Sequence, residues 1–96
     1  MKKDSEQYKK EMIEVISRIS KDKILLHDFI KDILTPKEFE NIGVRWQIIK
    51  KLAKGDTHHS IAGDLKLGVS TVTRGSREMR DKNGGFWKVL KFLKIK

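Results

Sequence analysis

Residues 57–77, near the middle of the chain, constrain the fold most, because they have the pattern of two short helices joined by a tight turn. Apolar side chains recur at helical spacing on both sides of Gly68, a residue suited to the left-handed conformation that a sharp turn requires. The second helix opens with short hydroxyl side chains, and arginines that can contact phosphates or guanine follow. This pattern is typical of a helix-turn-helix, and it makes duplex DNA the first candidate partner.

The charge of the chain also favours a polyanionic partner. Its 96 residues include 22 lysines and arginines against 13 aspartates and glutamates, a formal net charge of +9. Cysteine is absent, which excludes disulfide scaffolds, thiolate zinc sites and thiol catalysis and suits a reducing cytoplasm. We find no signal peptide, no apolar run long enough to span a membrane and no catalytic constellation. The sequence therefore predicts a cytoplasmic protein without enzymatic activity, folded as one domain over residues 1–96.

Hydrophobic periodicity predicts six helices and no strand, so the expected fold is all-α. Two amphipathic helices occupy residues 1–33, and a sixth follows the Asn83-Gly84-Gly85 break within residues 84–96. The stripe of the first helix has few partners within so small a monomer. We therefore expect residues 1–33 and 84–96 to supply the core or a dimer interface.

Capping residues predict where the third, fourth and fifth helices begin or end. Thr35 precedes Pro36 and, with Glu38, predicts a capping box at the start of the third helix, which Gly55 ends in a left-handed conformation. Thr57 and Ser70 are the predicted caps of the fourth and fifth helices. These two helices form the predicted helix-turn-helix, over about residues 57–80.

Two arginines have unusual positions. Arg45 shares the apolar stripe of Ile42 and Ile49, where a charge needs a partner or a wet cavity, unless its stem packs while its head reaches water. Arg74 lies four residues before Glu78, as in an ordinary surface ion pair. Together the two arginines could also form the walls of a pocket for an anion or a zwitterion. Spacing alone leaves these alternatives open.

Several short runs resemble the bacterial Trp repressor family. They occur in one order between about residues 34 and 80: Leu34-Thr35-Pro36, Gly43-Val44-Arg45, Lys54-Gly55-Asp56, Leu67-Gly68-Val69 and Val72-Thr73-Arg74-Gly75-Ser76. The resemblance implies a six-helix chain that intertwines as a homodimer and binds L-tryptophan as corepressor. It also implies repression of tryptophan biosynthesis or transport genes at palindromic operator DNA.

The resemblance assigns a tryptophan site to this chain. It implies that Arg45 and Arg74 sandwich the indole ring and that Arg45 also engages the carboxylate, which suits a planar guanidinium. Gly75 would let the indole approach the helix backbone. The polar end of the ligand would face the hydroxyl and carbonyl groups at the end of the second helix, from Thr35, Asp32 and Leu34.

Glu78 departs from the family pattern, which has serine at this position. A carboxylate here either strengthens the hold on the ligand's ammonium group or neutralises Arg74 and closes the pocket. The departure bears on which ligand binds.

The resemblance also assigns the DNA contacts. Base-reading side chains at the start of the fifth helix would be Val69, Ser70, Thr71 and Thr73. On the fourth helix, His59 and Ala62 match two base-proximal positions. These positions are usually occupied by arginine and lysine in the family. Phosphate neutralisers would be Lys54, His58, Arg77 and Arg80. A zinc site at the adjacent histidines is not expected, because their side chains point about 100° apart and no third ligand is evident.

Two other functions remain open. One is a helix-turn-helix regulator that binds DNA constitutively or responds to a different small molecule, which Glu78 and the missing basic pair favour. The other is a membrane-surface role for the lysine-rich terminal helix, although amphipathic helices more often close a core.

Overall fold

The computed structural model describes residues 2–94, and within this range the chain forms six α-helices and no strand. They are α1 (Lys2–Ile19), α2 (Lys23–Ile33), α3 (Pro36–Ala53), α4 (His58–Leu65), α5 (Val69–Glu78) and α6 (Gly85–Phe92). The predicted all-α, six-helix fold is confirmed. No helix in this range is long and apolar enough to cross a membrane.

Internal contacts divide the chain into two units, Met1–Phe39 and Glu40–Lys96. In the first unit α1 packs along α2. Asp22 caps the start of α2, and its side chain accepts a hydrogen bond from the Leu25 N–H at 3.0 Å. The apolar side chains that face each other between α1 and α2 are at most half-buried. Of the described side chains in this unit, none is fully buried.

The second unit is built around α3, which packs against α4 and α5 on one side and against α6 on the other. Ile48 joins Ile61 and Val72 in one buried cluster. Its neighbour Ile49, about 100° further round the helix, joins Leu90 in a second cluster. Burial of apolar area thus holds the helix-turn-helix to one side of α3 and α6 to the other.

The predicted ends of α3 and the start of α4 are confirmed. Thr35 N–H donates to Glu38 Oε1 at 2.8 Å and Glu38 N–H to Thr35 Oγ1 at 3.1 Å, which makes a complete capping box. Gly55 is left-handed, with φ of 93°, where α3 ends. Thr57 caps α4 by accepting the Ser60 N–H at 3.1 Å.

The turn between α4 and α5 differs from the prediction. Gly68 is extended, with φ of −72°, and it occupies the N-cap position that the sequence suggested for Ser70. The left-handed residue is Lys66, with φ of 56° and ψ of 49°. Lys66 takes this conformation because it ends α4, where the next N–H, from Leu67, returns to the Ala62 carbonyl at 2.9 Å.

Candidate DNA-binding and ligand-binding surfaces

One face of α5 is fixed against α3. Val72 is fully buried there, and a Cβ atom added to Gly75 would lie 3.1 Å from Ile48 Cγ2. Gly75 therefore allows the two helices to pack closely. The family resemblance gave Gly75 a role beside the indole ring but did not predict this packing role. The same contact packs the turn of α5 that carries Arg74 against the turn of α3 that follows Arg45.

The opposite face of α5 is accessible. Val69 is 36% exposed, Ser70 is exposed, and Thr71 and Thr73 are half-buried. The predicted phosphate neutralisers are exposed at three positions, Lys54, Arg77 and Arg80. The predicted base-reading and phosphate-binding side chains around α5 thus have at least partial access to solvent.

The two base-proximal positions on α4 differ from each other. His59 is exposed, whereas Ala62 is only 6% exposed and belongs to the cluster of Ile48, Ile61 and Val72. The Ala62 side chain therefore packs in the core, unlike that of His59, and its assignment to DNA binding stays a prediction.

His58, assigned to phosphates, is half-buried, and its Nδ1 lies 3.2 Å from Thr73 Oγ1. This contact joins the first residue of α4 to the middle of α5. Sequence reasoning missed it, because the two residues are fifteen positions apart and no periodicity relates them.

Both arginines of the predicted tryptophan site are exposed. Within the described part of the chain, neither the Arg45 nor the Arg74 side chain has a hydrogen bond or an ion pair. The conflict of a charge on an inward face does not arise, because the fully buried side chains of α3, Ile48 and Ile49, lie nearly one turn beyond Arg45. Ile42, on the same stripe as Arg45, is likewise 50% exposed. Both guanidinium groups are therefore available to a ligand.

The turn between α2 and α3 leaves two carbonyl groups without a donor. Asp32 precedes Pro36 by four residues, and proline has no N–H to donate. The Glu38 N–H, which would reach the Leu34 carbonyl, is taken by the Thr35 hydroxyl. Of the backbone N–H groups in residues 2–94, none donates to the Asp32 or the Leu34 carbonyl. The Thr35 side chain itself is exposed.

Glu78 ends α5, is exposed, and forms no ion pair with Arg74 among the described residues. Glu78 is instead one of the residues that line a largely apolar groove of about 540 Å³. The groove lies between α3, the end of α5 and α6, with Trp46, Phe86 and Val89 among its walls. Neither a surface ion pair nor a closed ionic lock therefore involves Glu78 here. The aromatic walls were predicted only as members of apolar stripes.

The comparisons with known proteins agree with the fold. A sequence model of the Trp repressor protein family matches residues 7–94. A Trp operon repressor homolog of Vibrio parahaemolyticus is 36% identical over 62 residues, which are 64% of this chain and 60% of the relative. Another, from Vibrio vulnificus, is 37% identical over 59 residues, 59% of this chain and 58% of the relative.

The aligned part of the chain spans about three fifths of the length of these relatives. The family model, by contrast, covers almost all of the chain, including the helix-turn-helix and both arginines. This chain belongs to the Trp repressor family.

Proposed function

We propose that the chain is a transcriptional repressor that binds operator DNA through α4 and α5 and uses L-tryptophan as corepressor. Regulation of tryptophan biosynthesis or transport genes in the bacterial cytoplasm follows from this assignment. The observation that carries the proposal is the division of α5 into two faces. Val72 and Gly75 are held against α3, while Ser70 and Arg74 remain exposed. A net charge of +9 supports binding to the phosphate backbone.

The proposed ligand chemistry follows from the groups that are free. An exposed guanidinium without an ion-pair partner can stack on an aromatic ring and bind a carboxylate, and Arg45 and Arg74 both meet this condition. The carbonyls of Asp32 and Leu34 are acceptors suited to an ammonium group. An aromatic amino acid carries all three complementary groups, so tryptophan fits better than a simple anion.

The proposal includes a homodimer. Apolar side chains of α1 and α2 are largely exposed, with Tyr8 at 66%, Ile13 at 68% and Ile24 at 76%. The end of α6 exposes Phe92 to 83%. A second copy of the chain would remove this apolar surface from water. A two-fold dimer would place its reading helices in major grooves about 34 Å apart, which requires a palindromic operator.

Substitution of Arg74 by alanine tests the ligand assignment. With a duplex that the native chain selects from a randomised library, tryptophan should strengthen binding by about 5- to 150-fold, as is typical of coupled sites. Arg74→Ala should abolish this response and leave weaker, salt-sensitive binding. Gel shifts or fluorescence anisotropy with and without tryptophan measure both quantities.

Arg80→Ala is the matched control. It removes an exposed arginine two residues beyond α5, so it should weaken DNA binding and lower the slope of log affinity against log salt by about one. Its tryptophan response should persist. An unchanged response in Arg74→Ala, or a native chain indifferent to tryptophan, would refute the ligand assignment.

A second candidate is a regulator of the same kind with a cationic aromatic ligand. Glu78 favours it, because this carboxylate lies beside Trp46 and Phe86 in an apolar groove. Tryptamine, which lacks the carboxylate, and indolepropionate, which lacks the amine, separate the two candidates by calorimetric titration. The main proposal predicts that tryptophan binds far better than tryptamine. Tighter binding of tryptamine would favour the second candidate.

A further inference from the structure

We infer that His58 determines DNA specificity by positioning Thr73, and that it does not act as a phosphate neutraliser. The inference rests on the proposed DNA-binding function and deepens it. His58 opens α4, and its ring reaches across to α5, with 3.2 Å between Nδ1 and Thr73 Oγ1. Both side chains are half-buried, so the contact is partly shielded from competing water.

The contact limits what Thr73 presents to a duplex. The hydroxyl and methyl groups of threonine share Cβ, so a hydrogen bond that holds Oγ1 also fixes the direction of the methyl group. Base edges are distinguished by where donors, acceptors and thymine methyl groups lie. A threonine held in one rotamer therefore presents its hydroxyl and methyl groups to the base edges in one fixed arrangement. It also loses less side-chain entropy when it binds.

The backbone that carries Thr73 is fixed as well. Its neighbour Val72 is fully buried, and Gly75 packs against Ile48. The Ser76 hydroxyl donates to the Thr73 carbonyl at 2.6 Å, within the same helix. The helix itself leaves a threonine two side-chain rotamers, and the contact with His58 selects between them.

The neighbouring histidine provides a natural comparison. The ring of His59 is exposed and has no hydrogen bond among the described residues, whereas the ring of His58 is half-buried and one of its nitrogens already has a partner. Loss of a phosphate contact weakens binding to every sequence and lowers the salt slope. Loss of a positioning contact weakens discrimination and leaves the salt slope unchanged.

The experiment uses the full chain and four variants: His58→Ala, His58→Asn, Thr73→Val and the double variant His58→Ala/Thr73→Val. Asparagine has a polar atom attached to Cγ, as Nδ1 is in histidine, so it can restore the contact. Ser60→Ala, which removes an exposed hydroxyl of α4 that is not assigned to DNA binding, is the matched control. For each protein, affinities for the duplex that the native chain selects and for a scrambled duplex of equal composition are measured over a range of salt concentrations. Thermal unfolding of each variant checks that it is folded.

His58→Ala should reduce the ratio of the two affinities by about two- to tenfold, the usual effect of one neutral hydrogen bond, with an unchanged salt slope. His58→Asn should recover most of the ratio, and the double variant should be no worse than Thr73→Val. Equal losses in His58→Ala and Ser60→Ala, a lowered salt slope in His58→Ala, or additive effects in the double variant would overturn the inference. Failure of the native chain to select any sequence would instead overturn the proposed function, and the inference with it.

Discussion

The two units of the chain use apolar residues in opposite ways. Every fully buried side chain that the structure describes lies in Glu40–Lys96, where Ile48 and Ile49 anchor the two clusters. In Met1–Phe39, α1 and α2 carry apolar stripes similar to those of the second unit. The described side chains of this unit are nevertheless exposed or only half-buried. Equal amphipathicity therefore does not produce equal burial.

The difference indicates which of the two units can form a buried core within a single chain. In the second unit, three helices surround α3, and even the indole N–H of Trp87 is satisfied by the Met79 carbonyl at 2.7 Å. In the first unit, two helices offer each other one face and leave the other uncovered. We infer that one chain is sufficient to form the reading surface, and that the first unit acquires its core when a second copy covers it.

Truncation of Ile49 should have the largest effect. This side chain is fully buried between α3 and α6, so Ile49→Ala should lower the free energy of unfolding by about 2–5 kcal/mol. Urea denaturation measures the change. Ile49→Val, which removes a single methyl group, should cost about 0.5–1.5 kcal/mol. A loss below that of the valine variant would contradict the claim that the second unit holds the core.

A polar substitution in the first unit should act on assembly. Ile24 is 76% exposed in one chain, and burial of such a side chain against a partner is worth about 1.5–3 kcal/mol. Ile24→Ser should therefore raise the dissociation constant of the dimer about tenfold or more, since about 1.4 kcal/mol corresponds to a factor of ten. Sedimentation equilibrium measures it.

Lys31→Ser, on the exposed surface of the same helix, is the control and should leave the dissociation constant nearly unchanged. A native chain that is monomeric at micromolar concentrations, or an Ile24→Ser variant that dimerises as strongly as the native chain, would contradict the inference that a second copy covers the first unit.

The sequence predicts features that depend on neighbours within a few residues. The capping box of Thr35 and Glu38, the cap at Thr57 and the stop at Gly55 are all confirmed, because each needs only one turn of backbone. The free Asp32 carbonyl is equally local, since Pro36 stands where its donor would be. These features set where α3 begins and ends and where α4 begins, without any tertiary information.

The remaining features depend on how far one helix covers another. Arg45 lies on the apolar stripe at the predicted angle, but α4, α5 and α6 cover only the later turns of α3, so its charge stays in water. Ala62 faces inward because α4 rotates its own apolar side against Ile48, which a residue-by-residue resemblance does not reveal. The left-handed residue at Lys66 follows from where α4 ends, a boundary that periodicity locates only within a few residues.

Two glycines test how closely α5 packs against α3, and they give the smallest expected changes in stability. An alanine at position 75 would place its Cβ 3.1 Å from Ile48 Cγ2, whereas nothing lies within 4 Å of a Cβ added at Gly63 in α4. Ile48 is only 3% exposed and cannot move away easily, so Gly75→Ala should lose about 1 kcal/mol or more of stability from overpacking.

Gly63→Ala should gain up to about 1 kcal/mol, because alanine is the better helix former in open space. Thermal unfolding of the two variants then measures opposite shifts for the same chemical change. A gain in both would mean that α5 is not held against α3, and the reading face of α5 would have no fixed support.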